Sequence, residues 1–165
     1  MGYWGYFVVG RGERPLAELD ALSGVEGLAL RERAPGGWQV WEYPSGEGGV
    51  GNMNDLARAT GAPALFGYVM DSDCVVVEAA APQSGAWTTC LGRAAMAGYL
   101  GEDGLTVEDY FLEPADAAER AVAWAAEAGH EVNAESLIDV LTAEADPLAE
   151  NLFFRLLDRL GVVPL

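Results

Sequence analysis

Around Gly101 the hydrophobic period of this chain changes from about two to about 3.6, which restricts the fold to a sheet followed by helices. Before that point, β-branched and aromatic runs alternate with turn residues. Residues 3–9 (YWGYFVV) carry large side chains on both alternating faces and predict a central strand covered on both sides. Residues 28–33 and 38–43 (WQVWEY) flank Pro35, Gly36 and Gly37 as a hairpin. Residues 65–70 and 74–78 are joined by Asp71, Ser72 and Asp73, whose side chains turn back onto their own backbone, and residues 87–91 pair next. Two or three short helices interrupt these strands. Pro15 opens one with Leu16, Leu19 and Leu22 on one face, Asn52 or Asn54 caps another that ends at Gly61, and residues 93–100 form a third.

Beyond Gly101 the pattern is helical. Residues 114–128 place Ala118, Ala121, Val122 and Ala125 on one face with Asp116, Glu119 and Glu127 opposite. Asn133 caps a second helix with Leu137, Ile138 and Leu141 inward. Asp146 and Pro147 begin a third that carries Leu148, Leu152, Leu156 and Leu160. The expected class is α+β: a mainly antiparallel sheet over 1–101 and a helical unit of about three helices over 102–165, packed on it as one globular whole.

Charge divides at the same place. Of 26 acidic residues, 14 fall between Glu102 and Glu150, and Arg120 is the one positive charge among them, so this stretch nets −13 of the chain's −17. Helix starts account for some of these acids, because carboxylates there offset the helix dipole. The missing arginines are not explained that way, since a surface built for solubility mixes both signs. A field of one sign repels nucleic acid and anionic membranes and attracts basic proteins. No run reaches the roughly 18–20 apolar residues of a spanning helix, and no leader pattern precedes residue 15, so a cytoplasmic setting is expected.

Several chemistries are excluded by residue type. All nine positive charges are arginines, so neither a Schiff base nor a Walker lysine is available, and the single histidine, His130, precludes a two-histidine metal site. No metal set and no cofactor is therefore expected. Neither cysteine lies in a C-x-x-C pair, and no serine lies in G-x-S-x-G. Gly46, Gly48 and Gly51 form a literal G-x-G-x-x-G between a strand and a helix, with Asp71 at the end of the next strand, so this is a candidate ligand loop. Against it stand Glu47 beside the expected pyrophosphate and the hairpin position of Asp71, while Asn52 and Met53 replace the Lys and Ser/Thr of a P-loop. A carboxylate-cleft enzyme would need two inward acids, which spacing alone does not reveal. Trp38 and Trp41 point to opposite faces of one strand, which leaves one of them partly exposed for a partner. Phe154 lies among Glu150, Asn151 and Asp158 on a helical wheel, away from the leucine face; it either plugs into the sheet or anchors a partner.

The segments GYWGYFVVGR, GGWQVWEY and ATGAPALFGYVMDSD, all within residues 1–73, resemble stretches of uncharacterised actinobacterial proteins of about this length. With its acidity and lack of catalytic motifs, the chain also resembles small immunity or antitoxin-type proteins that block a basic toxin. That resemblance implies a non-enzymatic inhibitor and assigns no residues. On the charge reading, Glu102, Asp103, Glu108, Asp109, Asp116 and Glu119, with Phe154, are the candidate partner-binding residues. The rival expectations are an oligomerising module that uses the C-terminal helices, and an enzyme or small-ligand binder with a carboxylate cleft or the Gly46–Gly51 loop.

Overall fold

In the computed structural model, which describes residues 2–45, 49–145 and 147–165, six strands form one sheet. They are β1 (Gly5–Arg11), β2 (Ala29–Ala34), β3 (Trp38–Tyr43), β4 (Ala64–Met70), β5 (Cys74–Ala81) and β6 (Gly85–Leu91), in the order β2-β3-β1-β4-β5-β6 with every neighbouring pair antiparallel. The class is thus α+β with an antiparallel sheet. β1 lies between the β2–β3 hairpin and the β4–β5–β6 meander, and apolar cover on both sides explains its double-faced sequence: Phe7 and Val9 enter one cluster, Val8 another.

One face is covered by α3 (Pro114–Glu127), α4 (Ala134–Thr142) and α5 (Ala149–Leu160). α3 presents Ala117, Ala118, Ala121 and Ala125, whose small side chains let the helix approach closely, and inserts Trp124 between them. The Trp124 indole N–H donates to the Ala64 and Ala80 carbonyls, both at 3.1 Å, and its ring lies 5.9 Å from that of Trp38. On α5, Phe153 packs over Gly67 of β4, where a Cβ would stand 2.5 Å from the ring.

The opposite face is covered in two patches. Two 3-10 turns (Leu16–Glu18 and Asp20–Leu22) and α1 (Met53–Thr60) cover the β3–β1–β4 end; α2 (Arg93–Gly101) and a 3-10 turn at Val107–Asp109 cover the other. Buried Gln39 anchors the first patch: its Oε1 accepts from Leu16 N and Trp41 Nε1, and its Nε2 donates to the carbonyls of Gly12 and Arg14. Both Trp38 and Trp41 are buried, because both faces of β3 are covered; the expected exposed tryptophan of this pair is absent. The segment after Pro15 forms 3-10 turns rather than an α-helix: leucines at 16, 19 and 22 repeat every three residues, the period of the tighter helix, and Leu19 between the turns is extended at φ −77, ψ 147.

Asn52 caps α1 by accepting from Asn54 N at 2.7 Å, and Gly61 ends it in the left-handed conformation. The start expected for the last helix at Asp146 and Pro147 is displaced: α5 begins at Ala149, whose N–H donates to the Ser72 carbonyl at 2.9 Å, and Asp146 lies outside the described residues. Ser72 also ties down the chain start. Its Oγ accepts from Tyr3 N at 2.7 Å and donates to Glu150 Oε2 at 3.0 Å, while Gly2 N donates to Asp71 Oδ1 at 2.7 Å.

Candidate binding groove and its acidic rim

Between the two patches a strip of sheet stays open. Antiparallel register aligns Tyr43, Tyr6, Tyr68 and Val76 in a row across β3, β1, β4 and β5, and Phe66, Glu78 and Thr88 in the next row across β4, β5 and β6. The Tyr6 ring stacks on Tyr68 at 4.4 Å and on Tyr43 at 6.1 Å, and Trp4 extends the series, 6.3 Å from Tyr68. All three tyrosines are half-buried. Burial, first of all, raises the pKa of Tyr6 and of Tyr68; for Tyr6 the charge of Glu78 adds to it.

Two hollows meet at Glu78 and Thr88. One, about 340 Å³, is lined by Asn52 and Asn54 at the start of α1 with Ala80 and Ala86. The other, about 480 Å³, is walled by Met70, Val76, Met96, Leu100, Tyr110 and Phe111. The Glu78 carboxylate makes no hydrogen bond or ion pair among the described residues, and the groove walls desolvate it enough to raise its pKa. Among the described residues the groove holds this one carboxylate, not the two that glycosidase-type acid–base chemistry requires. At its edge the Tyr99 hydroxyl donates to Asp73 Oδ2 at 3.3 Å, and its pKa is pushed up to about 12 by burial and by that neighbour.

The apolar hollow has an acidic rim. The segment that supplies Leu100, Tyr110 and Phe111 also carries Glu102, Asp103, Glu108 and Asp109, all exposed. Asp109 forms a capping box with Thr106, whose N–H and hydroxyl hold the carboxylate at 2.8 and 3.0 Å and lower its pKa. Asp116 and Glu119 are exposed on α3, which covers the other face of the sheet. The six candidate carboxylates therefore divide: Glu108 and Asp109 stand beside Tyr110 at the groove rim, Glu102 and Asp103 follow α2, and two stand on α3. None of the described carboxylates of the 102–150 stretch forms an ion pair; both ion pairs among the described residues, Arg31–Glu42 and Arg58–Asp55, lie elsewhere. Arg120 instead donates to the carbonyls of Ser84 and Ala86 along the β6 edge, and Arg93 donates to that of Leu112.

Phe154 is away from this rim. It plugs onto the sheet, 5.1 Å from Phe7, beneath the Arg31 guanidinium at 4.9 Å. Gly46 and Gly48 lie outside the described residues. Gly51 lines the smaller hollow, whereas Asp71 holds Gly2 N at the β4–β5 turn, so the two remaining members of the expected ligand loop serve different places. β3, α1 and β4 make a split β-α-β unit with antiparallel β1 between its strands, not the adjacent parallel pair of a dinucleotide fold. Among the described residues no group of three His, Cys, Asp or Glu is placed to hold a metal, and no helix is long and apolar enough to cross a membrane. Cys74 and Cys90 are buried free thiols, raised by burial to about 12 and about 11, so neither is a ready nucleophile.

No family model, curated protein or solved structure matches this chain. The functional reading therefore rests on the residues themselves. Sequence reasoning singled out the carboxylates of this segment but not Glu78, Tyr6, Tyr68 or Tyr99. The signal was an isolated charge in an otherwise apolar strand, VVVEAAA, together with one tyrosine in each of two others.

Proposed function

We propose that this chain is a non-enzymatic binding module that engages a basic protein through its acidic surface, in the manner of an immunity or antitoxin-type inhibitor of a basic toxin. The observation that carries the reading is the unpaired state of the described carboxylates in the 102–150 stretch, sharpened by arginines that bond to carbonyls instead. Carboxylates left without an internal ion pair are free to pair across an interface, where they speed encounter and penalise wrong partners. Apolar Leu100, half-exposed Phe111 and exposed Tyr110 beside them supply the desolvated centre that rim charges alone lack. The oligomerising alternative has exposed Leu148 and Leu165, on either side of α5, in its favour, whereas α3, α4 and α5 themselves carry none of the large exposed apolar side chains among the described residues. A cytoplasmic setting agrees with two buried thiols left unpaired.

Charge neutralisation tests the proposal. Asp109 is left intact because it caps its own turn, and Glu102, Asp103, Glu108, Asp116 and Glu119 are changed to Gln or Asn. Immobilised wild-type protein should retain a basic partner with affinity that falls as salt rises, and the variant should lose both affinity and salt dependence. Retention indifferent to ionic strength, or unchanged by neutralisation, would overturn it.

A further inference from the structure

The protein-binding reading leaves the floor of the groove unused. Glu78 stands there between Phe66 and Thr88, its Cα partners on the flanking strands. Tyr68 and Tyr6 lie on one side, and Tyr99, Tyr110 and Phe111 line the apolar hollow on the other. A carboxylate with no hydrogen-bond or ion-pair partner among the described residues, set among aromatic rings and opening onto a hydrocarbon-lined cavity, has the chemistry of a site for organic ammonium ions. We propose that this groove binds a small organic cation with an apolar body, an alkyl- or arylammonium, whose charged nitrogen sits at Glu78 and whose hydrocarbon part fills the hollow between Val76, Met96, Leu100 and Phe111.

Three features select this ligand class over others. Neither hollow is lined by an arginine, so an anion would meet Glu78 without compensation inside a chain of net charge −17. The walls of the larger hollow are thioether, aliphatic and aromatic, and its volume of about 480 Å³ suits a small-molecule body. A neutral hydrocarbon would fill the cavity but leave the exposed Glu78 carboxylate without a counter-ion, whereas an ammonium supplies both the charge and, through the tyrosine rings, cation–π attraction. The site shares Leu100, Tyr110 and Phe111 with the proposed protein interface, but none of the residues neutralised in that test lines either hollow.

Three probes of equal chain length decide the matter: hexyltrimethylammonium, hexanol and hexanoate, each titrated into the full chain while the methyl resonances of Met70 and Met96 are followed by NMR. The cation should shift both methyls saturably, hexanol weakly, and hexanoate not at all. Glu78→Gln, a change at an exposed strand position, should weaken the cation about fivefold and leave hexanol unchanged. Glu131→Gln, in the exposed loop between α3 and α4, should leave the cation's affinity unaltered. Equal binding of hexanoate, unchanged cation affinity in the Glu78 variant, sensitivity to Glu131 equal to that of Glu78, or no methyl shift with any probe would each overturn the proposal. The salt-dependent capture of a basic protein is read separately, so either idea can fail alone.

Discussion

At the residue scale, closeness of approach and satisfaction of polar atoms decide most positions. Gly67 is the clearest case: Phe153 rests on the backbone where a side chain would stand. Gly67→Ala should destabilise the chain by about 1–3 kcal/mol in urea unfolding, the usual cost of forcing extra volume into a packed site. Phe153→Leu should cost less in that variant than in the wild type, because the two positions share one space; additive effects would show that the contact is not the cause. A glycine in the middle of ALFGYVM read only as a weak point in a strand, since its partner ring comes from a helix more than eighty residues later. The fate of Trp41 was hidden for a similar reason. Strand alternation set it opposite Trp38, but its cover comes from turns that Gln39 fastens down, and a lone Gln in a strand announces nothing of four hydrogen bonds.

Local punctuation made the element scale legible. Pro35, Gly36 and Gly37, the Asp71-Ser72-Asp73 turn, and the caps Asn52 and Asn133 stand where the sequence indicated. Errors arose where a distant element supplied what the local sequence seemed to lack, as when Ser72 receives the first N–H of α5. Glu127 shows the same influence on charge. It closes α3, where the helix dipole disfavours an acid, yet it accepts N–H bonds from Gln83 and Ser84 of the β5–β6 turn at 2.9 and 2.7 Å. Burial pushes its pKa up, but the bonds from Ser84 and Gln83 prevail, and the net shift is downward. A lowered folded-state pKa means the native form holds fewer protons than the unfolded one. Its stabilisation is therefore full above the ordinary glutamate value and is lost as pH falls through the folded value. The stability difference between wild type and Glu127→Gln should be constant above about pH 5 and shrink below about pH 4. Urea titrations at stepped pH would show this, and a difference that ignores pH would refute the assignment.

Over the whole molecule, the sequence revealed the size of the acidic excess but not its distribution. Four of the candidate carboxylates lie on the connection between α2 and α3 and two stand on α3, and the few arginines nearby bond to backbone carbonyls of Ser84, Ala86 and Leu112. The groove itself was illegible because Tyr6, Glu78 and Tyr99 meet only through the strand order and the placing of α2, neither of which hydrophobic period encodes. The junction at Ser72 has the same long-range character, joining Tyr3, the β4–β5 turn and the first turn of α5. Chain segments separated by about seventy and nearly eighty positions must all have arrived before its bonds can close. Such a lock belongs to the end of folding, after the slow search for non-local pairings is over. Ser72→Ala, which strips partners from Tyr3 N and Glu150, should cost about 1–3 kcal/mol. Stopped-flow measurements should show that cost almost wholly as faster unfolding, with the refolding rate nearly unchanged. A slowed refolding arm would instead place the junction in the folding nucleus. With refolding unchanged, Ser72 acts as a late latch on the lifetime of the native state, holding closed a chain whose β1 waits between two halves for its neighbours.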